Sequence, residues 1–275
     1  MQSRVVVVGN EKGGAGKSTI AIHLAAGLMA QGESVAVIDL DLRQQSFGRF
    51  LANRRAWIAK SGAGGLPTPV ELRLGENPAR FAEAPDAEGV ALFEAALADA
   101  RQAATHVLID TPGGDTALSR AAHAAADLVV TPMNDSFVDF DLLGHVDPVT
   151  LELTKPSIYS ETVWNARKAR AVRDRGSIDW VVLTNRLATV EARNRKRVDE
   201  RIAALSRRVG FRVGPGLRDR VIYRELFPFG LTVADLSPDV RPVPISLAHV
   251  AARQELRALL WTLGLSEAPQ ETEAA

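Results

Sequence analysis

VVVVGNEKGGAGKST, running from Val5 to Thr19, is where the chain declares its architecture. Four β-branched residues in a row, Val5 to Val8, read as a strand covered on both faces, since such strands show no polar alternation. The glycines that follow, Gly13, Gly14 and Gly16, let backbone amides converge on a phosphate chain around Ala15. A helix predicted from Ile20 to Gln31 adds its positive N-terminus. Lys17 can then reach the outer phosphates, the Ser18 hydroxyl can ligate magnesium, and Thr19 closes the lining. Strand, glycine turn and helix in that order make a P-loop. The predicted fold is that of an α/β P-loop NTPase, a mostly parallel central sheet flanked by helices on both faces.

The bulk composition sets limits. At 275 residues there is ample apolar content for one large α/β domain, and we read 1–265 as a single ATPase domain followed by an acidic, disordered tail at 266–275. With no cysteine, disulfides, thiolate metal sites and iron–sulfur clusters are excluded. Strand one is entered by Arg4 and no apolar run reaches membrane-spanning length, so the expected location is the cytoplasm. A formal charge of zero hides an asymmetry: Arg167 to Arg224 holds 17 Lys/Arg against 6 Asp/Glu, a net of +11 that the remainder must balance. Charge separated in this way is a candidate footprint for a polyanion or an acidic partner.

Beyond the loop, Ser34–Asp39 reads as a second buried strand ending in Asp39-Leu-Asp41. Carboxylates at the C-terminal edge of a parallel strand stand where ligands bind in open α/β sheets. Residues 60 to 90, rich in Gly, Pro and acids, read as surface loops with one short strand at Val70 to Leu74. A helix from Val90 to about Ala104 leads to the strand His106–Asp110. Asp110 and the following Thr111-Pro112-Gly113-Gly114 have the pattern of a magnesium-holding carboxylate and a switch loop, in which Gly113 offers its amide to the γ-phosphate. His106 reads as packing. Further strands are predicted at Leu128–Pro132 and Asp179–Thr184.

The general P-loop pattern wants a glycine where Glu11 stands, and offers no counterpart to the second lysine, Lys12. K-G-G-A-G-K-S resembles the deviant Walker A loop of the ParA/MinD family of ATPases. That resemblance implies Mg2+-dependent ATP hydrolysis and an ATP-bound homodimer in which Lys17 serves its own nucleotide and Lys12 reaches the partner's. It further implies that Asp41 orients the attacking water, that Asp39 supports a magnesium shell shared with Ser18 and Asp110, and that Asn185 contacts adenine. Leu42-Arg43 departs from the Pro-Gln that follows the second aspartate in partition ATPases. No Asn-Lys-x-Asp guanine signature occurs, so ATP is favoured over GTP.

The helix read from Glu191 to Val209 carries Val198, Ile202, Leu205 and Val209 at core-facing spacing. Arg193, Arg197, Arg201 and Arg208 gather within an arc of about 80° beside that stripe, with Lys196 on another exposed flank. Arg218 follows in a loop. Cations without base-reading geometry predict contact with the phosphate backbone of nonspecific DNA.

Longer stretches, Asn10–Lys17, Ile38–Gln44, Thr131–Phe140 and Arg218–Gly230, are similar to the MipZ family of division-site regulators. This resemblance implies slow ATP hydrolysis, an ATP dimer on nonspecific DNA near the centromere-binding protein ParB, and inhibition of FtsZ polymerisation. A ParA-type partition ATPase shares every short motif and stays open as an alternative. A MinD-like membrane ATPase fits less well, because the predicted last helix, Ser246 to Leu263, is followed by acids that an anionic membrane repels.

Overall fold

The computed structural model describes residues 3–75, 86–134, 142–147, 153–185, 200, 202–235, 237, 240, 242 and 244–267. Among them run β1 (Arg4–Val8), α1 (Lys17–Met29), β2 (Val35–Asp39), α2 (Ser46–Ser61), β3 (Val70–Leu72), α3 (Asp86–Ala103), β4 (His106–Asp110), α4 (Ala117–Ala125) and β5 (Leu128–Asn134). The hairpin β6 (Gly144–Val146) and β7 (Leu153–Pro156) precedes α5 (Ile158–Asp174), β8 (Asp179–Asn185), β9 (Arg212–Pro215), α6 (Val221–Leu226) and α7 (Leu247–Thr262). Seven strands form one sheet in the order β3-β2-β4-β1-β5-β8-β9, every pairing parallel.

The sheet is sandwiched as the β1 run predicts. Val5 and Val7 face one apolar cluster, with Ile38, Ile109 and Trp180 from the sheet and Phe93, Leu97, Ala122 and Val163 from α3, α4 and α5. Val6 and Val8 face the other, with Ile20, Leu24 and Leu28 of α1, Phe47 and Leu51 of α2, and Leu256 and Leu260 of α7. Each fully buried aliphatic side chain of this kind contributes about 1.5–3 kcal/mol, which is why β1 tolerates no polar residue.

Several boundaries differ from the sequence reading. α1 starts at Lys17, so the loop feeds straight into it, and α3 starts at Asp86. Gly214 and Pro215, just ahead of the Arg218 loop, end strand β9, where an edge position tolerates proline. Phe227–Phe229 winds as a 3-10 turn. The expected helix over 191–209 is described only from 200, and its last turn, Ser206–Gly210, is a π-turn. Ile202, Leu205 and Val209 are buried there as predicted. Val198, Arg193, Lys196, Arg197 and Arg201 lie outside the described residues, as do 76–85, 135–141 and 268–275.

One buried ion pair locks the α2 side of the molecule. The guanidinium of Arg54 donates to both carboxylate oxygens of Asp235, at 3.0 and 2.7 Å, and to the carbonyls of Pro67 and Gly230. Asp235 also accepts from the amide and hydroxyl of Thr232. A buried pair holds only when its remaining polar atoms are satisfied in this way.

Candidate nucleotide site

Parallel pairing puts the C-terminal ends of β1, β2 and β4 along one edge, and their loops converge there. The order of the sheet reverses beside β1, whose neighbours are β4 on one side and β5 on the other. That is the crevice in which open α/β sheets take ligands.

The phosphate loop is built on positive dihedrals. Gly14 has φ +75° and Gly16, at the N-cap of α1, has φ +89°. A side chain is strained in this region, which favours glycine at both positions. No side chain caps α1, which leaves its first amides facing the loop. Asn10 fixes the base of the loop: its Nδ2 donates to the Pro132 carbonyl at 2.6 Å, and its Oδ1 accepts the Lys12 amide at 2.7 Å. Asn10 was only one letter of the quoted stretch; a short amide side chain at the exit of a buried strand is the signal that marks it.

Lys17 is buried, and its Nζ donates to the Lys12 carbonyl at 2.9 Å. Burial lowers its pKa, while Asp110 and Asp41 pull it back up. Lys12 itself is half-buried on the same turn. Gly113 is pressed against the loop, since a Cβ there would stand 3.2 Å from the Glu11 carbonyl and 3.8 Å from Lys17 Nζ.

The carboxylates divide their labour. Register places Asp39 directly beside Asp110 on neighbouring strands. Asp110 is fully buried and neither of its oxygens completes a hydrogen bond. Burial and then the Asp39 charge push its pKa up to about 8, against the Ser18 hydroxyl and Lys17. An orphaned buried carboxyl beside a hydroxyl fits a magnesium ion, whose charge would replace the missing partners. Asp39 is occupied differently. Its Oδ1 accepts the Asp41 amide at 3.0 Å, and its Oδ2 accepts the amides of Phe47 and Gly48 at 3.1 and 3.3 Å. It therefore anchors the first turn of α2 and the Asp41 loop, and burial raises its pKa to about 6. Asp41 is half-buried and its Oδ1 accepts the Gln44 amide at 3.0 Å.

Asn185 closes β8 in register with Asn134 of β5, on the same edge of the sheet. Arg218, expected at a DNA face, also borders a cavity with Gly16, Thr19, Arg220 and Tyr223, immediately beside the start of α1. Its guanidinium lies 3.6 Å from Glu255, which Arg220 holds at 2.6 Å. Arg208 is exposed on the π-turn. Some of the basic side chains are engaged inside the fold, Arg170 with Asp127 and Asp174 and Arg212 with Asp179. Lys168, Arg175 and Arg207 stand exposed.

Known proteins share this fold. An ATP complex of a McdA variant from Cyanothece superposes with TM-score 0.61 at 17% identity, covering 98% of this chain and 99% of that one. The septum site-determining protein MinD of Pyrococcus horikoshii, complexed with Mg-ADP, gives TM-score 0.57 at 15% identity over 92% and 94%. In sequence, the chromosome partitioning protein ParA of Caulobacter vibrioides is 31% identical over 159 residues, 49% of this chain and 57% of that protein. The cytosolic Fe-S cluster assembly factor cfd1 of Aspergillus terreus is 42% identical over 66 residues. That match spans 24% of this chain and 21% of cfd1, so such curated relatives are matched over part of their length only. The family model for ATPase MipZ matches residues 4–267, nearly the whole chain. The chain belongs to the MipZ family of ParA/MinD-type ATPases.

Proposed function

We propose that this protein is an ATP-driven dimeric switch that places the bacterial division site by inhibiting FtsZ polymerisation, bound to nonspecific DNA and to ParB. The observation that carries the nucleotide half is the loop itself: two lysines on one turn, the second buried over Asp110, with Gly113 packed against the backbone between them. Lys17 binds the β- and γ-phosphates of its own ATP, and the amides of Gly13 through Thr19 wrap the phosphate chain. Magnesium held by Ser18 and Asp110, with Asp39 positioning the carboxylate loop behind them, would neutralise charge on those phosphates. Asp41 orients the attacking water, and Gly113 offers its amide where the γ-phosphate sits. Lys12 serves the nucleotide of a second copy, so ATP closes the dimer and its slow hydrolysis opens it.

DNA binding rests on the basic segment, and Arg208 and Arg218 are its described members among the six cations assigned from sequence. Among the described residues no helix is long and apolar enough to cross a membrane.

The decisive experiment is sedimentation of FtsZ polymers with this protein and a non-hydrolysable ATP analogue. Polymer mass should fall with the wild type and stay unchanged with Lys12→Ala, which should bind ATP yet remain monomeric by light scattering. A ParA-type partition role is the second reading, favoured by the 31% identity to ParA across 49% of this chain. Unaltered FtsZ polymer beside a dimer that holds DNA would put that reading first.

A further inference from the structure

A buried polar chain lies directly behind the phosphate loop. The hydroxyl of Tyr159, near the start of α5, is 2.8 Å from the Gly9 carbonyl, 2.8 Å from Thr131 Oγ1 and 3.1 Å from His123 Nε2. Trp180 Nε1 donates to Thr131 Oγ1 at 3.0 Å, and His123 Nδ1 sits 2.7 Å from the Ser119 carbonyl. All four side chains are sealed from solvent. They come from α4, α5, β5 and β8, and they meet at Gly9, where β1 opens into the loop.

Counting protons exposes a shortage. The Ser119 carbonyl can only accept, so His123 carries its proton on Nδ1 and presents Nε2 as an acceptor. Thr131 accepts from Trp180 and gives its own proton to Tyr159. Tyr159 then has one proton for two acceptors, the Gly9 carbonyl and His123 Nε2. A second proton on the imidazole would serve both, but burial holds the His123 pKa below its usual value, against Ser119 and Asp115. Leaving a buried acceptor unserved is costly, so the two compete.

There is no slack between the competitors. A Cβ on Gly9 would stand 2.5 Å from His123 Nε2 and 3.0 Å from the Tyr159 hydroxyl. Helix α4, which carries His123, continues from the loop whose Gly113 abuts Glu11. The same loop-and-helix unit therefore touches the phosphate loop at both ends.

We propose that Tyr159 is a positioning residue for the phosphate loop, its single hydroxyl proton contested by the Gly9 carbonyl and His123 Nε2, so that loop and α4 are coupled through it. The proposal rests on the nucleotide reading given above. When the proton serves Gly9 the loop is held for phosphate, and when it serves His123 the helix is held instead. A nucleotide shifts the balance by its differential affinity for the two arrangements.

Equilibrium binding of a fluorescent non-hydrolysable ATP analogue tests it. Tyr159→Phe removes the donor and should weaken binding about tenfold, the factor carried by one hydrogen bond of about 1.4 kcal/mol. His123→Asn keeps a donor for the Ser119 carbonyl and removes Nε2, freeing the proton for Gly9, so binding should tighten roughly two- to threefold. Residues that merely support the fold would both weaken binding, and a shift in the same direction for the two folded variants overturns the proposal. Should Tyr159→Phe fail to fold, nitrogen NMR of His123 in the wild type replaces it. Its Nε2 resonance should move between the apo and analogue-bound states, and an unmoved resonance overturns the idea. A wild type that binds no analogue would overturn the nucleotide reading as well, whereas binding without these effects overturns this proposal alone.

Discussion

Asp39 and Asp110 owe their behaviour to their shared register on adjacent parallel strands, which sets two carboxylates side by side at the strand ends. Sequence showed both at strand ends, but not that backbone amides take up Asp39 while Asp110 is left bare. Spacing alone cannot say which acid of such a pair is satisfied, because the donors come from a helix eight residues on. Lys17→Ala should abolish nucleotide binding, with thermal stability of the apo protein within about 1 kcal/mol of wild type, as followed by analogue binding and melting. His23 gives a pH prediction. It is fully buried, its Nδ1 lies 2.8 Å from the Thr19 carbonyl, and burial lowers its pKa to about 4 against Thr19 and Asp235. The unfolded imidazole takes its proton first as pH falls, so His23's contribution is whole above pH 6.5 and drains away toward pH 4. That window is worth about 3 kcal/mol. Urea titrations should show a shallower loss between those pH values for His23→Phe, the remaining slope including His123.

Among the elements, strands were legible wherever both faces are covered, since β1, β2, β4, β5 and β8 are unbroken apolar runs. α4 was not, because Ala117–Ala125 is short and more than half alanine, with a histidine and a serine on its buried face. α2 hides behind a start at Gln45 in the left-handed region, φ +45°, with no capping side chain. β9 carries Gly214 and Pro215, which read as a turn until an edge position makes them acceptable. The clamp between α2 and the 230–235 loop was equally invisible, since Arg54 and Asp235 are 181 residues apart. Arg54→Ala leaves Asp235 buried and unpaired, and should cost about 3–5 kcal/mol in denaturant unfolding. Gly230→Ala attacks the same junction from the other side. Its φ is +62° and its new Cβ would fall 2.0 Å from the Arg54 amide, so a loss of more than about 4 kcal/mol is expected.

For the molecule as a whole, the net charge of +11 on the segment Arg167 to Arg224 already counts Asp174 and Asp179, and ion pairs to Asp127 and Glu255, which lie outside it, absorb part of that surplus. The charge available to the proposed DNA contact is therefore smaller than the segment total. Dimerisation on ATP should roughly double the slope of log K against log salt, and Arg208→Ala should lower that slope by about 0.9 per protomer. Fluorescence anisotropy across a salt series reads both. The strand order carries a consequence of its own. β4 is made after β1 and β2, yet it inserts between them, so those first two strands have no direct hydrogen-bonded partnership in the finished sheet. On a ribosome, the glycine turn must therefore wait for residue 110 to emerge before its floor exists. Nascent chains arrested before that point should retain no triphosphate, and those long enough to release β4 and β5 should begin to.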